Sequence, residues 1–332
     1  MRQIGKIFGC VLLISLSSCY SPQPVAGPEV PAILANKNWV HYANLKLHVF
    51  NTGTNRVPDL LAGPNQPWRP VPAFVIEHPQ RGLVIFDCGL GPEIADKQEG
   101  ALHPVVGLLF KSRSATGGDL ASQMRHAGWH PEKVNTVILS HLHFDHTGTA
   151  PAFTNATFVT TKGVKLKNTS RFDGLEPAHT AWIAPQQQQE IDFTKGKPYA
   201  TFLRTIDLFE DGSIILVEGE GHSEGDMAAI VQLPQGPVLL TGDAVVHFDW
   251  LNSQDVQKIA HHPDKAAAIR NQVRALQKAE PTIVVIPGHD LASVPGNRTG
   301  IILHQKQLFQ PEAWLNNPTL SAQLASKDLI AK

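Results

Sequence analysis

Cysteine is scarce in this chain: three residues in 332, at positions 10, 19 and 88. The first two sit in and just after an N-terminal apolar stretch, so Cys88 stands alone in the remainder. With Cys10 lost in a cleaved leader and Cys19 modified, no intrachain disulfide can form in the mature chain. Stability then rests on core burial, with metal as the other available source. A small buried thiol is the ordinary explanation for Cys88, in LVIFDCGL, and it receives no catalytic role. Charge is scarce as well. Charged residues make up 17% of the chain, 28 basic against 29 acidic, and no dense basic block occurs. That excludes the electrostatic footprint of a nucleic-acid-binding protein and points to a small-molecule partner. Internal repeats are missing, and the N-terminal apolar run IFGCVLLISL, residues 7–16, is too short to span a bilayer.

What the chain does have is apolar content of 42%, enough for one large domain or two ordinary ones. The cations of MRQIGK followed by the apolar run read as a secretory signal. The run ends in Leu16-Ser17-Ser18-Cys19, which resembles the bacterial lipobox. That resemblance implies cleavage after residue 18 and lipid on Cys19. The proline-rich SPQPVAGPEVP suits an extended tether over 19–37, leaving residues 38–332 as a single domain. The expected location is a bacterial membrane, reached by export and held through the lipid anchor. Tyr20 after Cys19 is compatible with the outer membrane, facing the periplasm; a soluble periplasmic or secreted protein is the alternative. Lacking twin arginines, the signal implies unfolded export and metal loading outside the cytoplasm.

Short apolar segments bounded by Gly, Pro, Asn or Asp predict strands at 46–50, 73–77, 83–86, 134–139 and 157–160, and again at 213–217, 228–232, 238–240 and 282–286. Helical spacing predicts a helix over 263–278 and another over 120–127, stopped by Gly128. The mixture indicates an α/β (α+β) architecture rich in sheet. GALHPVVGLLF (100–110) reads as an apolar loop, either core filler or the wall of a substrate pocket. The stretch 185–198 reads as a polar, exposed loop.

One pattern recurs at strand ends. Val137-Ile138-Leu139 runs into SHLHFDH, placing His141, His143, Asp145 and His146; later strands lead to His222, Asp243 and His289. Singly, a buried histidine is more often a hydrogen-bonded core residue than a ligand, and an aspartate after a strand more often steadies a turn. Seven together, dominated by imidazole, suit borderline divalent ions such as zinc. His41, His103, His179, His261 and His262 lack the pattern and are read as ordinary histidines.

With these residues in view, the sequence resembles the metallo-β-lactamase fold superfamily. The HxHxDH signature is matched by His141, His143, Asp145 and His146, and the downstream set by His222, Asp243 and His289; the likeness runs from about His41 to His304. It implies a four-layer αββα sandwich and two divalent ions, zinc foremost, with iron, manganese or cobalt as alternatives. In it His141, His143 and His222 hold one ion, Asp145, His146 and His289 the other, and Asp243 bridges. SHLHFDHTG, EGHSEGD, LLTGDAVV and IPGHD are most similar to the N-acyl-homoserine lactonases that quench quorum sensing. The implied chemistry is attack of a metal-bridging hydroxide on a lactone carbonyl, with Asp145 assisting proton movement. Those enzymes often carry a tyrosine three residues after the bridging aspartate; here it is Val246, and His247 is the candidate substrate contact in its place. Where they often have a second histidine after the GH, this chain has Asp226.

A β-lactamase fits less well, since those enzymes generally lack the bridging aspartate. An oxygen-reducing di-iron protein would carry a carboxylate at His143. A thioesterase resembling glyoxalase II and a broad ester or organophosphate hydrolase stay open, as does a non-catalytic surface lipoprotein. A homodimer also stays open.

Overall fold

The computed structural model describes residues 39, 42–57, 68–167, 170–252, 260–292 and 294–315. The signal-like segment, Cys19, the tether and His41 lie outside the described residues. Among the described residues, fourteen strands form two sheets, of eight and six. The first contains β1 (Lys46–Arg56), β2 (Trp68–His78), β3 (Gly82–Phe86), β4 (Lys111–Arg113), β5 (Thr136–Ile138), β6 (Thr157–Thr161) and β7 (Gln188–Ile191). The second contains β8 (Lys197–Tyr199), β9 (Phe202–Asp207), β10 (Ile214–Glu218), β11 (Met227–Leu233), β12 (Gly236–Leu240) and β13 (Val284–Ile286). A final strand, β14 (Ile301–Leu303), returns to the first sheet beside β1. The orders are β14-β1-β2-β3-β5-β6-β7, with β4 on β1, and β13-β12-β11-β10-β9-β8.

Alternation along the strands fixes the layers. In β3, Val84 and Phe86 point into the space between the sheets while Ile85 points away; in β10, Ile214 and Leu216 face inward while Ile215 and Val217 face outward. Because successive strand side chains take opposite faces, a fully apolar strand needs a partner layer on both sides. On the outer face of the first sheet, Leu120 and Met124 of the helix Leu120–His126 supply it. Asp119 caps that helix, accepting from Ser122 N at 3.0 Å. On the outer face of the second, Ile269, Val273 and Leu276 of the helix Pro263–Ala279 do so, at spacings of one helical turn. Each such side chain fully buried contributes about 1.5–3 kcal/mol. The four layers are the αββα sandwich.

The strands and both helices expected from the sequence are present, with shifted ends. β1 runs on through the polar stretch NTGTN, past a register shift between Asn51 and Thr54. These polar side chains are buried yet satisfied: Asn51 donates to Leu308 O at 2.5 Å, Thr52 to Val71 O and Thr54 to Arg69 O at 2.8 Å each. The segment 100–110 is largely the helix Pro104–Leu109, with Val106 buried against Val71, Leu90 and Ile94 while Val105 and Leu108 stay exposed. The stretch 185–198 contributes the edge strands β7 and β8, whose outward polar residues gave no apolar alternation to read. Cys88 is buried and free. Among the described residues no helix is long and apolar enough to cross a membrane.

Candidate metal centre

The carboxyl ends of β5, β10, β12 and β13 lie along one edge of the sandwich. β5 reaches it from the first sheet, and the other three, all running the same way, from the second. A backbone bond from Met227 N to Ser140 O, 2.9 Å, ties the two sheets together there. Two glycines let the chains approach. Gly242 takes a positive φ of 50° against Ser140, and a Cβ at Gly288 would overlap the Asp243 carboxylate.

All seven residues singled out from the sequence converge at this edge. Their donor atoms form overlapping groups, each drawn within 4.8 Å: His141, His143 and His222; His141, His146 and Asp243; Asp145, His146 and His289. His143 Nδ1 lies 2.9 Å from His141 Nε2 and 3.1 Å from His222 Nε2. Asp243 Oδ2 is 3.3 Å from His222 Nε2, while its Oδ1 is 3.5 Å from His146 Nε2 and 3.4 Å from His289 Nε2. Asp145 Oδ2 is 3.4 Å from His289 Nε2. A tetrahedral zinc with bonds near 2.0–2.1 Å spaces its ligand atoms about 3.3 Å apart, so the set has the dimensions of such a site. Asp243 turns Oδ2 to His222 and Oδ1 to His146 and His289. His146 Nε2 and Asp243 Oδ1 are buried with no hydrogen-bond partner, an arrangement that costs free energy unless a cation completes it.

The nitrogens facing away are held by other groups. His141 Nδ1 meets Ser140 Oγ at 3.0 Å, His146 Nδ1 meets Asp87 Oδ2 at 2.8 Å, and His289 Nδ1 meets the Pro70 carbonyl at 2.9 Å. Asn55 donates to Asp145 Oδ2 at 2.6 Å and accepts from Ser112 Oγ at 2.7 Å. Such outer partners fix which nitrogen is free to ligate. Asp87, Asn55 and the Pro70 carbonyl escaped the sequence reading. Asp87 showed the same signal as the others, a polar residue ending an apolar strand; Asn55 and Pro70 lie within strands and carry none.

Electrostatics divides the cluster. Burial drives His141 and His143 below the usual imidazole range and His222 to about 3, so these are neutral bases ready to bind a cation. At His146 burial acts in the same direction but is outweighed by Asp87, Asp243 and Asp145, which raise it to about 10. His289 is raised too, burial losing to Asp243. Asp243 is held well below the carboxylate range, His289, His146 and His222 overcoming its burial. The carboxylates thus hold positive charge where a divalent ion would supply it. Among the described residues, His141, His143, Asp145, His146, His222, Asp243 and His289 fit a divalent-metal site.

His247 lies just outside the donor cluster. The backbone bonds Gly288 N to Val245 O and His289 N to Val246 O place it beside His289. Its Nε2 is 3.4 Å from Asp290 Oδ2 and its Nδ1 3.6 Å from Asp249 Oδ2, and burial lowers its pKa. Arg69, buried on β2, stacks over Trp250 at 5.2 Å.

Comparison with known proteins agrees with this geometry. The family model of the metallo-beta-lactamase superfamily matches residues 66–289, more than half of the chain. N-acyl homoserine lactonase AttM of Azorhizobium caulinodans is 33% identical over 233 residues, 67% of this chain and 82% of that protein. AttM of Agrobacterium fabrum is 29% identical over 254 residues, covering 74% and 84%. Among solved structures, a mutant of B. thuringiensis AiiA with N-decanoyl-L-homoserine at its active site superposes with a TM-score of 0.63 at 19% identity, covering 78% of this chain and 98% of that one. AidC, a dizinc quorum-quenching lactonase, superposes with a TM-score of 0.52 at 15% identity, covering 75% and 89%. On this fold, this edge and this match, the chain belongs to the metallo-beta-lactamase superfamily and is a metal-dependent hydrolase.

Proposed function

We propose that the protein opens the ring of N-acyl-homoserine lactones at a two-ion centre. The observation that carries this reading is the carboxylate of Asp243, with Oδ2 toward His222 and Oδ1 toward His146 and His289. The likeness to AttM over most of that enzyme's length supports the substrate class. His141, His143 and His222 would hold one ion and Asp145, His146 and His289 the other, with Asp243 between; the donor set suits zinc, and iron, manganese or cobalt could take the same ligands. Bound there, the pair supplies a water acidified to near-neutral pKa and a Lewis acid for the carbonyl and leaving oxygens.

The chain's own residues orient and move protons. Asn55 fixes one oxygen of Asp145, so the carboxylate is aimed before substrate arrives and can carry a proton to the oxygen released as the ring opens. His247, whose Nε2 lies 3.4 Å from Asp290 Oδ2, would contact the lactone in place of Val246, which offers no polar group. The exposed apolar residues Val105 and Leu108 belong to the helix whose Val106 joins the apolar cluster against which Phe144, the neighbour of His143, is packed, and give an acyl chain a surface to lie on.

Turnover of acyl-homoserine lactones, thioesters, phosphotriesters and β-lactams by the zinc-loaded protein tests the proposal. Lactone hydrolysis should exceed the other three and vanish on chelation; lactone turnover no higher than in the chelated control would refute it. Export and acylation at Cys19 complete the reading, supported by the lipobox-like LSSC. Cys19→Ser should then move the protein from the membrane to the soluble fraction, and an unchanged distribution would refute the anchor.

A further inference from the structure

His179, 3% exposed in the short helix Pro177–Thr180, lies outside the donor cluster and takes no part in the chemistry above. Both of its ring nitrogens are nonetheless engaged. Nε2 meets Glu93 Oε1 at 2.8 Å and Nδ1 meets Thr147 Oγ1 at 3.0 Å. The Thr147 hydroxyl also lies 3.1 Å from the carbonyl of His143. Thr147 closes the four-residue helix that carries Asp145 and His146, and His143 is its N-cap. A line of three side chains therefore runs from a partly exposed carboxylate to both ends of the turn that presents three metal donors.

A single helical turn cannot hold its own geometry, because one turn fixes several dihedrals for one hydrogen bond. Here the support comes from outside. Residues 87–93 wrap the turn: Cys88 N bonds His146 O at 2.7 Å, Gly148 N bonds Gly89 O at 2.9 Å, and Thr149 Oγ1 bonds Leu90 O at 3.2 Å. Glu93 ends this stretch. Burial works against its ionisation, but the contacts with His179 and Lys97 keep its carboxyl below the usual range. An ionised carboxylate only accepts, so His179 donates to it from Nε2, while Thr147 gives its single hydroxyl proton to the His143 carbonyl.

We infer that Glu93, His179 and Thr147 are positioning residues that set the pitch of the ligand turn, bringing His143, Asp145 and His146 to ion-binding geometry. This rests on the two-ion reading of the cluster, and the experiment separates the two. Cobalt(II) is titrated into the full chain after chelator stripping, with affinity read by chelator competition and geometry by the visible cobalt bands. His179→Phe and Thr147→Val should each weaken binding about 10- to 100-fold, the usual loss on removing an outer partner of a metal ligand, and shift the bands. The double variant should add little to either alone, because both cut one chain. Thr147→Ser, which keeps the hydroxyl, should restore both readouts. Gly91→Ala removes no polar group, yet its Cβ would overlap the Glu93 carboxylate and push it off His179, so binding should weaken in the same direction. Unchanged affinity and bands in folded His179→Phe and Thr147→Val would overturn the inference; so would equal behaviour of Thr147→Val and Thr147→Ser, which decides alone if His179→Phe fails to fold. A wild-type chain that takes up no cobalt would overturn the two-ion reading and this inference with it.

Discussion

Asp87 takes a left-handed backbone at the end of β3, φ 57°, a conformation that costs of order 1–3 kcal/mol for a residue other than glycine. The turn aims its carboxylate back at three groups: Ser140 N and Ser140 Oγ at 2.7 Å each, and His146 Nδ1 at 2.8 Å. Asp87→Asn keeps the shape but removes the charge that holds His146, and should weaken ion binding about 10- to 100-fold in chelator competition. His247→Ala should raise KM for lactones with little change in kcat if the imidazole only holds the substrate; a fall in kcat at constant KM would place it in the chemistry instead. The seven donors were legible because each follows an apolar strand, where side chains are carried to an edge on rigid backbone. Asp87 was legible in the same way, but its neighbour Cys88 drew the reading toward a buried thiol. Asn55 and Pro70 were not legible at all, since only the approach of Asp145, after β5, to β1 and of His289, after β13, to β2 gives them a part.

Elements whose two faces both meet apolar layers read plainly, as β3, β10 and β12 do. Those with one polar face did not. β1 satisfies buried Asn and Thr side chains through backbone partners that no local pattern announces. The helix Pro104–Leu109 looked like a loop because it is short and its apolar residues cover both its buried and its exposed sides. That double character gives a test at this scale. Leu108→Glu changes an exposed side chain, so its effect on stability should stay within about 0.5 kcal/mol. KM should nevertheless rise more for long-chain than for short-chain lactones, as measured by steady-state kinetics; equal effects across chain lengths would remove the helix from substrate binding.

At the scale of the whole molecule, β14 returns to β1 and brings His304 Nε2 to 2.9 Å from His48 Nδ1. Burial lowers both histidines to about 4. In the unfolded chain each titrates near 6.5, so between these values the unfolded state binds more protons than the native one. Their contribution is intact above about pH 6.5 and is lost as pH falls toward 4. The urea midpoint should drop from pH 7 to pH 4.5, and a variant lacking both histidines should show a smaller drop. The two sheets also share the centre unequally: β5 of the first delivers four donors, while β10, β12 and β13 of the second deliver three. Each of the three donor groups draws on both sheets, so the complete sites form only once the sheets have docked. Bound ions therefore guard the exit from the folded state rather than the entrance to it. Stopped-flow measurements should find unfolding slowed by saturating zinc while the refolding rate stays where it was without it.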